Sequence, residues 1–200
     1  MDNNANAINF VKNSNFQTKV ITGKVRLDHV NIWEPKSYHG STPRYSVSLI
    51  IPKDDKETIT NINNAIDAAI KENEKILVDQ FGKINNATLS LPLRDGDIER
   101  ADHETYTNSY FLNANSARQP DIVDEMVRPI LHQSEVSSRC CARVSITFYA
   151  FNNNGSKGVA VGLNNIQKLT YERYILCETP TSAENKFGNN ETFSKGKRGC

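Results

Sequence analysis

The chain lacks an excess of charge of either sign: 24 Lys and Arg stand against 23 Asp and Glu in 200 residues, a formal net charge of +1. That balance excludes a long-range pull on polyanions, so a site for one must be a local patch. No apolar run approaches the roughly 18–20 residues that cross a bilayer, and the start, MDNNANAINF, has neither a basic nor an apolar signal region. A cytoplasmic protein is expected. Cysteine is scarce: Cys140, Cys141, Cys177 and Cys200 include an adjacent pair and no C-x-x-C, so no zinc site or disulfide framework is encoded. G-x-S-x-G, G-x-x-x-x-G-K and H-E-x-x-H are missing too, which removes the commonest signatures of nucleophilic, phosphate-cradling and zinc-hydrolase sites. No internal repeat is present.

What is there is a set of alternating segments. The most informative is RVSITFYAFN (143–152), where Val144, Ile146, Phe148 and Ala150 share one face of a period-two strand. Arg143, Ser145, Thr147, Tyr149 and Phe151 share the other. One face reads as core, whereas the opposite face joins a cation and hydroxyls to two rings, a surface suited to neutralising phosphates and stacking bases.

Upstream, VITGKVRLDHVNIW (20–33) reads as one long strand and RYSVSLIIPK (44–53) as another, with Pro52 stopping the run. KSYHGSTP (36–43) between them is a loop by its Gly, Ser, Thr and Pro content. Asp54 or Asp55 caps a helix whose apolar stripe includes Ile59, Ile62, Ile66, Ala69, Ile70 and Leu77. Shorter strands follow at 88–93, 109–115, 121–126, 142–151 and 158–169. Many short strands and one main helix predict a mainly β, closed or nearly closed antiparallel barrel of five or more strands with extended loops. Residues 18–170 are its expected bounds. The Asn-rich residues 1–17 read as a flexible arm and 171–200 as a flexible tail.

Face alternation and local composition nominate a nucleic-acid site. Lys24, Arg26 and Arg143 are expected on phosphates, with Lys36, Lys157 and Lys168 as further cations. Tyr149, Phe151, Trp33 and Tyr38 are expected to stack bases, and Tyr110 and Phe111 are further candidates. On the last strand, Ala160, Gly162 and Asn164 leave room for a base beside the Tyr149 face.

The segments KVRLDHVNIWEPKSYHG (24–40), RYSVSLIIPK (44–53), LPLRDGDIER (91–100), NSYFLNANS (108–116), RVSITFYAFN (143–152) and KGVAVGLNNIQKL (157–169) together resemble a family of bacteriophage and prophage single-stranded DNA-binding proteins, formerly classed as a domain of unknown function. The resemblance runs in order over about residues 18–170. It implies an OB barrel that coats single-stranded DNA in phage replication or recombination, in the cytoplasm of an infected or lysogenic bacterium, without strong sequence preference, cofactor, metal or catalysis. Phage or host replication and recombination proteins are the partners it implies. Where many single-strand binders end in an acidic tail, this chain ends FSKGKRGC, with Lys195, Lys197 and Arg198. The residues leave the oligomeric state open between monomer and dimer.

Two other classes compete. Asp95, Asp97, Glu99, Asp102, His103 and Glu104 crowd LPLRDGDIERADHE, and such carboxylates could hold magnesium or manganese for phosphodiester cleavage. Asp95-Gly96-Asp97 is equally an ordinary turn, and Arg94 and Arg100 are placed to pair with the acids. The third class is a structural phage β-barrel subunit, which would carry no continuous basic groove.

Overall fold

The computed structural model describes residues 18–37, 40–78, 84, 88–153 and 156–169. The predicted arm, the predicted tail and Tyr38 lie outside the described residues.

The chain is mainly β. Among the described residues eight strands form one sheet: β1 (Lys19–Ile21), β2 (Val25–Lys36), β3 (Arg44–Pro52), β4 (Arg94–Asp95), β5 (Ser109–Ser116), β6 (Asp121–Val123), β7 (Cys141–Asn153) and β8 (Ser156–Lys168). The ladder partners form a circuit in which β2 pairs with β3, β3 with β5, β5 with β8, β8 with β7, and β7 with β2. Two joints in it are short. β2 meets β7 through two residue pairs, and β5 meets β8 through the single parallel pair Asn115↔Gly162. β1 extends β7, and β6 runs parallel to β8.

Alternation decides what each strand buries. Leu27 on β2, Leu49 on β3, Leu112 on β5, Ile146 and Phe148 on β7, and Val161 on β8 all point into one core. Burying each such side chain contributes about 1.5–3 kcal/mol. The main helix, α1 (Lys56–Glu72), adds Ile62, Ala65, Ile66 and Ala69 from one stripe and packs against β1, β7 and β8. Asp55 caps it, its carboxylate accepting from the Thr58 N–H at 3.0 Å. A single turn, α2 (Glu74–Leu77), follows.

The expected long strand from Val20 breaks at Thr22–Lys24, so that β1 pairs with β7 alone while β2 pairs with both β3 and β7. Within β2 the register slips between Asp28 and Asn31, where His29 adopts φ +46°. That bulge turns the strand end outward. The expected strand at 88–93 reduces to one parallel bridge, Ser90↔Gly158. There the Ser90 carbonyl lies 2.2 Å from where a Cβ on Gly158 would stand, so only glycine admits the approach.

Candidate nucleic-acid interface

With the core faces assigned, the residues between them point outward. Arg44, Ser46 and Ser48 on β3 lie beside Asn113 and Asn115 on β5, and these five line a groove of about 350 Å³ together with Lys36, His29 and Arg100. Among the described residues no carboxylate lines it. Lys36 and Arg44 are directly opposite each other across the β2–β3 ladder. Like charges in that relation repel across a sheet, and an anion bound between them would offset the repulsion. Arg44 Nη1 donates to Asn115 Oδ1 at 3.3 Å, and Ser48 Oγ donates to Asn113 Oδ1 at 2.7 Å. Both asparagine amide nitrogens are thereby turned away from those contacts and are left as donors.

The second outward surface belongs to β7, β8 and β1. Tyr149 is 42% exposed and pairs with Ala160, while Thr147 pairs with both Gly162 and Lys19. A Cβ on Gly162 would stand 3.7 Å from Tyr149 Cε1, so the missing side chain leaves the ring's flank open. Asn164 Nδ2 donates to Thr147 Oγ1 at 2.9 Å and keeps the neighbouring polar surface flat. Phe151 is half-buried opposite Gly158. The Asn115↔Gly162 pair joins this face to the groove, and adjacent strands stand about 4.8 Å apart, so groove and platform are separated by roughly 10 Å.

The other nominated residues scatter. Lys24 is half-buried in the turn before β2. Arg26 points outward but is overlaid by the 104–106 turn: its Nη2 donates to the Thr105 carbonyl and its Nε is buried without a partner. Trp33 packs against the core, its indole N–H donating to the Val136 carbonyl at 3.4 Å, so it is a seal rather than an open stacking surface. Lys157 Nζ donates to the Val78 carbonyl. Lys168 is half-buried at the end of β8, and Arg143 is exposed with Nε 3.5 Å from the Thr22 carbonyl. Phe111 is fully buried, and Tyr110 lines a cleft against α1 with Ile59, Ile66, Leu91 and Leu93.

Sequence reasoning missed Arg44, Arg100, Ser46, Ser48, Asn113 and Asn115. For the β3 and β5 residues the signal was present, because serine and asparagine alternate with Val47, Leu49, Leu112 and Ala114. Arg100 carried no such signal.

The acidic segment is committed to the fold. Lys53 Nζ reaches Asp95 at 2.8 Å and Asp97 at 2.6 Å, and these two contacts raise the lysine's pKa, the Asp95 contact most. Lys53, then the Asn108 N–H at 2.8 Å, hold the Asp97 carboxyl below its ordinary range. Asp95 also caps α3 (Gly96–Glu99) by accepting from the Asp97 N–H at 3.0 Å, and Arg94 pairs with Glu99 at 3.3 Å. Among the described residues no group of three or more His, Cys, Asp or Glu is placed to hold a metal ion. The metal-nuclease alternative is not favoured.

A sheet whose ladder partners run through a five-strand circuit with one parallel joint, carrying one main helix and a polar outer face, defines a mainly β class of fold. The chain belongs to the family described as Enterobacter phage Enc34, ssDNA-binding protein, whose family model matches residues 18–195. Among solved structures it is similar to the single-stranded DNA-binding protein from bacteriophage Enc34 in complex with ssDNA, with a TM-score of 0.66 at 20% identity over 76% of this chain and 85% of that one. A second structure of the single-stranded DNA-binding protein from bacteriophage Enc34 gives 0.61 at 19% identity, over 76% and 80%. The single-stranded DNA-binding protein gp2.5 of bacteriophage T7 gives 0.50 at 12% identity, over 90% and 98%. At these identities the likeness is one of fold. No curated protein sequence matches the chain.

Proposed function

We propose that this chain is a phage single-stranded DNA-binding protein that coats unpaired strands during replication or recombination, without reading their sequence. The observation that carries this reading is the continuity of the outer face, where a groove with Lys36, Arg44 and Arg100 and no carboxylate meets the Tyr149 platform at the Asn115–Gly162 pair. Cations along a groove neutralise phosphates, and an exposed ring stacks any base, so the combination is sequence-tolerant. In this reading Lys36, Arg44 and Arg143 contact the backbone, Tyr149 and Phe151 stack bases, and residues 18–170 act as the binding domain between an arm and a tail. In this reading the chain acts by binding alone, and three of the acids nominated for a metal, Asp95, Asp97 and Glu99, are paired with Lys53 and Arg94. Its site of action is the bacterial cytoplasm; no helix among the described residues is long and apolar enough to cross a membrane.

Anisotropy of labelled oligo-dT tests the reading. Binding is expected in EDTA, weakens steeply with salt and leaves the DNA intact. Tyr149→Ala is expected to lower affinity by about 5- to 150-fold, the equivalent of the 1–3 kcal/mol that one stacked base contributes. Its melting temperature should hold, since the ring is exposed. Cleavage that requires a divalent ion, or no binding at all, would overturn the assignment.

A further inference from the structure

We propose that Arg100 is a phosphate-contacting residue of the groove, presented from outside the strand circuit by a segment clamped onto the sheet. The inference rests on the single-stranded DNA reading above and extends it to a residue that the fold brings in from a distant loop.

Two arginines leave this segment, and their surroundings separate them. Arg94 lies over the Phe111 ring at 4.2 Å and is neutralised by Glu99. Arg100 stands 5.7 Å from the centroids of both Tyr106 and Phe111, lines the groove, and makes no side-chain hydrogen bond or ion pair among the described residues. Its position is nevertheless fixed. Its backbone N–H donates to the Gly96 carbonyl at 2.9 Å and its carbonyl accepts from the His103 N–H at 2.9 Å. The segment around it is pinned by Asp97 to the Asn108 N–H, by the Tyr106 hydroxyl to Asp28 at 2.8 Å, and by the Thr105 carbonyl to Arg26. At Gly96 the backbone runs so close that a Cβ would stand 2.4 Å from the Tyr106 carbonyl.

A guanidinium resting on aromatic rings keeps its charge and its planar fork while losing little freedom on binding. With its N–H edge unpartnered, beside Lys36 and Arg44 and with no acid in the lining, the ligand it fits is a phosphodiester. Carboxylates are close in sequence, yet Glu99 is taken by Arg94, and Asp102 and Glu104 do not line the groove.

The test is the slope of log affinity against log salt for oligo-dT, measured on the full chain with melting temperatures alongside. Arg100→Ala and Arg100→Gln should each reduce the slope by about 0.7, the share of one single-strand phosphate contact. Arg100→Lys should keep the slope, and Arg94→Ala, which removes a cation already paired, should keep it too. An unchanged slope in both neutral Arg100 variants, or an equal fall in Arg94→Ala, overturns the inference while wild-type binding stands. If the wild type does not bind oligo-dT, the underlying reading falls and this inference with it.

Discussion

Replacing both Lys36 and Arg44 with glutamate is expected to weaken oligo-dT binding at 0.15 M salt on the order of 100-fold. Each single-strand phosphate contact contributes about 0.7 to the salt slope, which at this concentration is roughly a fourfold loss per cation removed, and reversing the sign adds repulsion of similar size. The fold should not suffer. Lys36 and Arg44 are both exposed and already form a like-charged cross-strand pair, so two glutamates exchange one repulsion for another. The single change Lys36→Glu makes the sharper comparison: it creates an opposite-charge pair with Arg44, worth about 0.2–1 kcal/mol to the sheet, and removes one groove cation while occupying the other. Melting temperature should hold or rise as affinity falls about tenfold or more. If Lys36→Glu lowered stability and left affinity untouched, the groove would not be the DNA track.

Strand content, the main helix and its Asp55 cap were legible in the sequence because they are local: period two and period 3.6 appear within a few residues. The outward face of β7 was legible for the same reason. The groove was not, since it forms where the bulge at His29, the end of β2 and the middle of β5 converge. Arg26, Trp33 and Lys157 show the same limit from the other side. Each looks like an open cation or ring along the chain, yet each meets a backbone carbonyl 79, 103 or 79 residues away. The acidic run 95–104 reads as a metal site or a turn until Lys53, on the far side of α1 in sequence, lands between Asp95 and Asp97. Local pattern assigns a residue to a face; which faces then meet is set by long-range pairing.

Tyr106→Ala is expected to be the most damaging single substitution in the clamp. The ring is 2% exposed, packs with Ile50 and Phe111, and meets the Phe111 ring edge-on at 5.1 Å. Truncating a buried aromatic costs about 3–5 kcal/mol, which for a chain of this size lowers the melting temperature by roughly 6–20 °C. Tyr106→Phe isolates the hydroxyl, whose hydrogen bond to a carboxylate contributes about 1.5–3 kcal/mol. The two partners also predict the pH response. Burial, and then the bond to Asp28, push the Tyr106 hydroxyl up to about 12 from an ordinary 10.0. Its contribution is therefore fully present below pH 10 and is lost as pH rises through the raised native value. For Asp28, burial works to raise the carboxyl, but the Tyr106 hydroxyl and the His29 N–H outweigh it and hold the group below 3.8. That contribution is present above 3.8 and is lost as pH falls through the lowered native value. Tyr106→Phe should accordingly flatten both limbs of the stability profile and converge with the wild type near pH 12. Because the same bond holds down the segment that carries Arg100, oligo-dT affinity should fall in Tyr106→Phe at neutral pH, although Tyr106 itself is buried and does not line the groove. Superimposable alkaline limbs in the two proteins, or a Phe variant that binds as tightly as the wild type, would show that the clamp is not what positions the arginine.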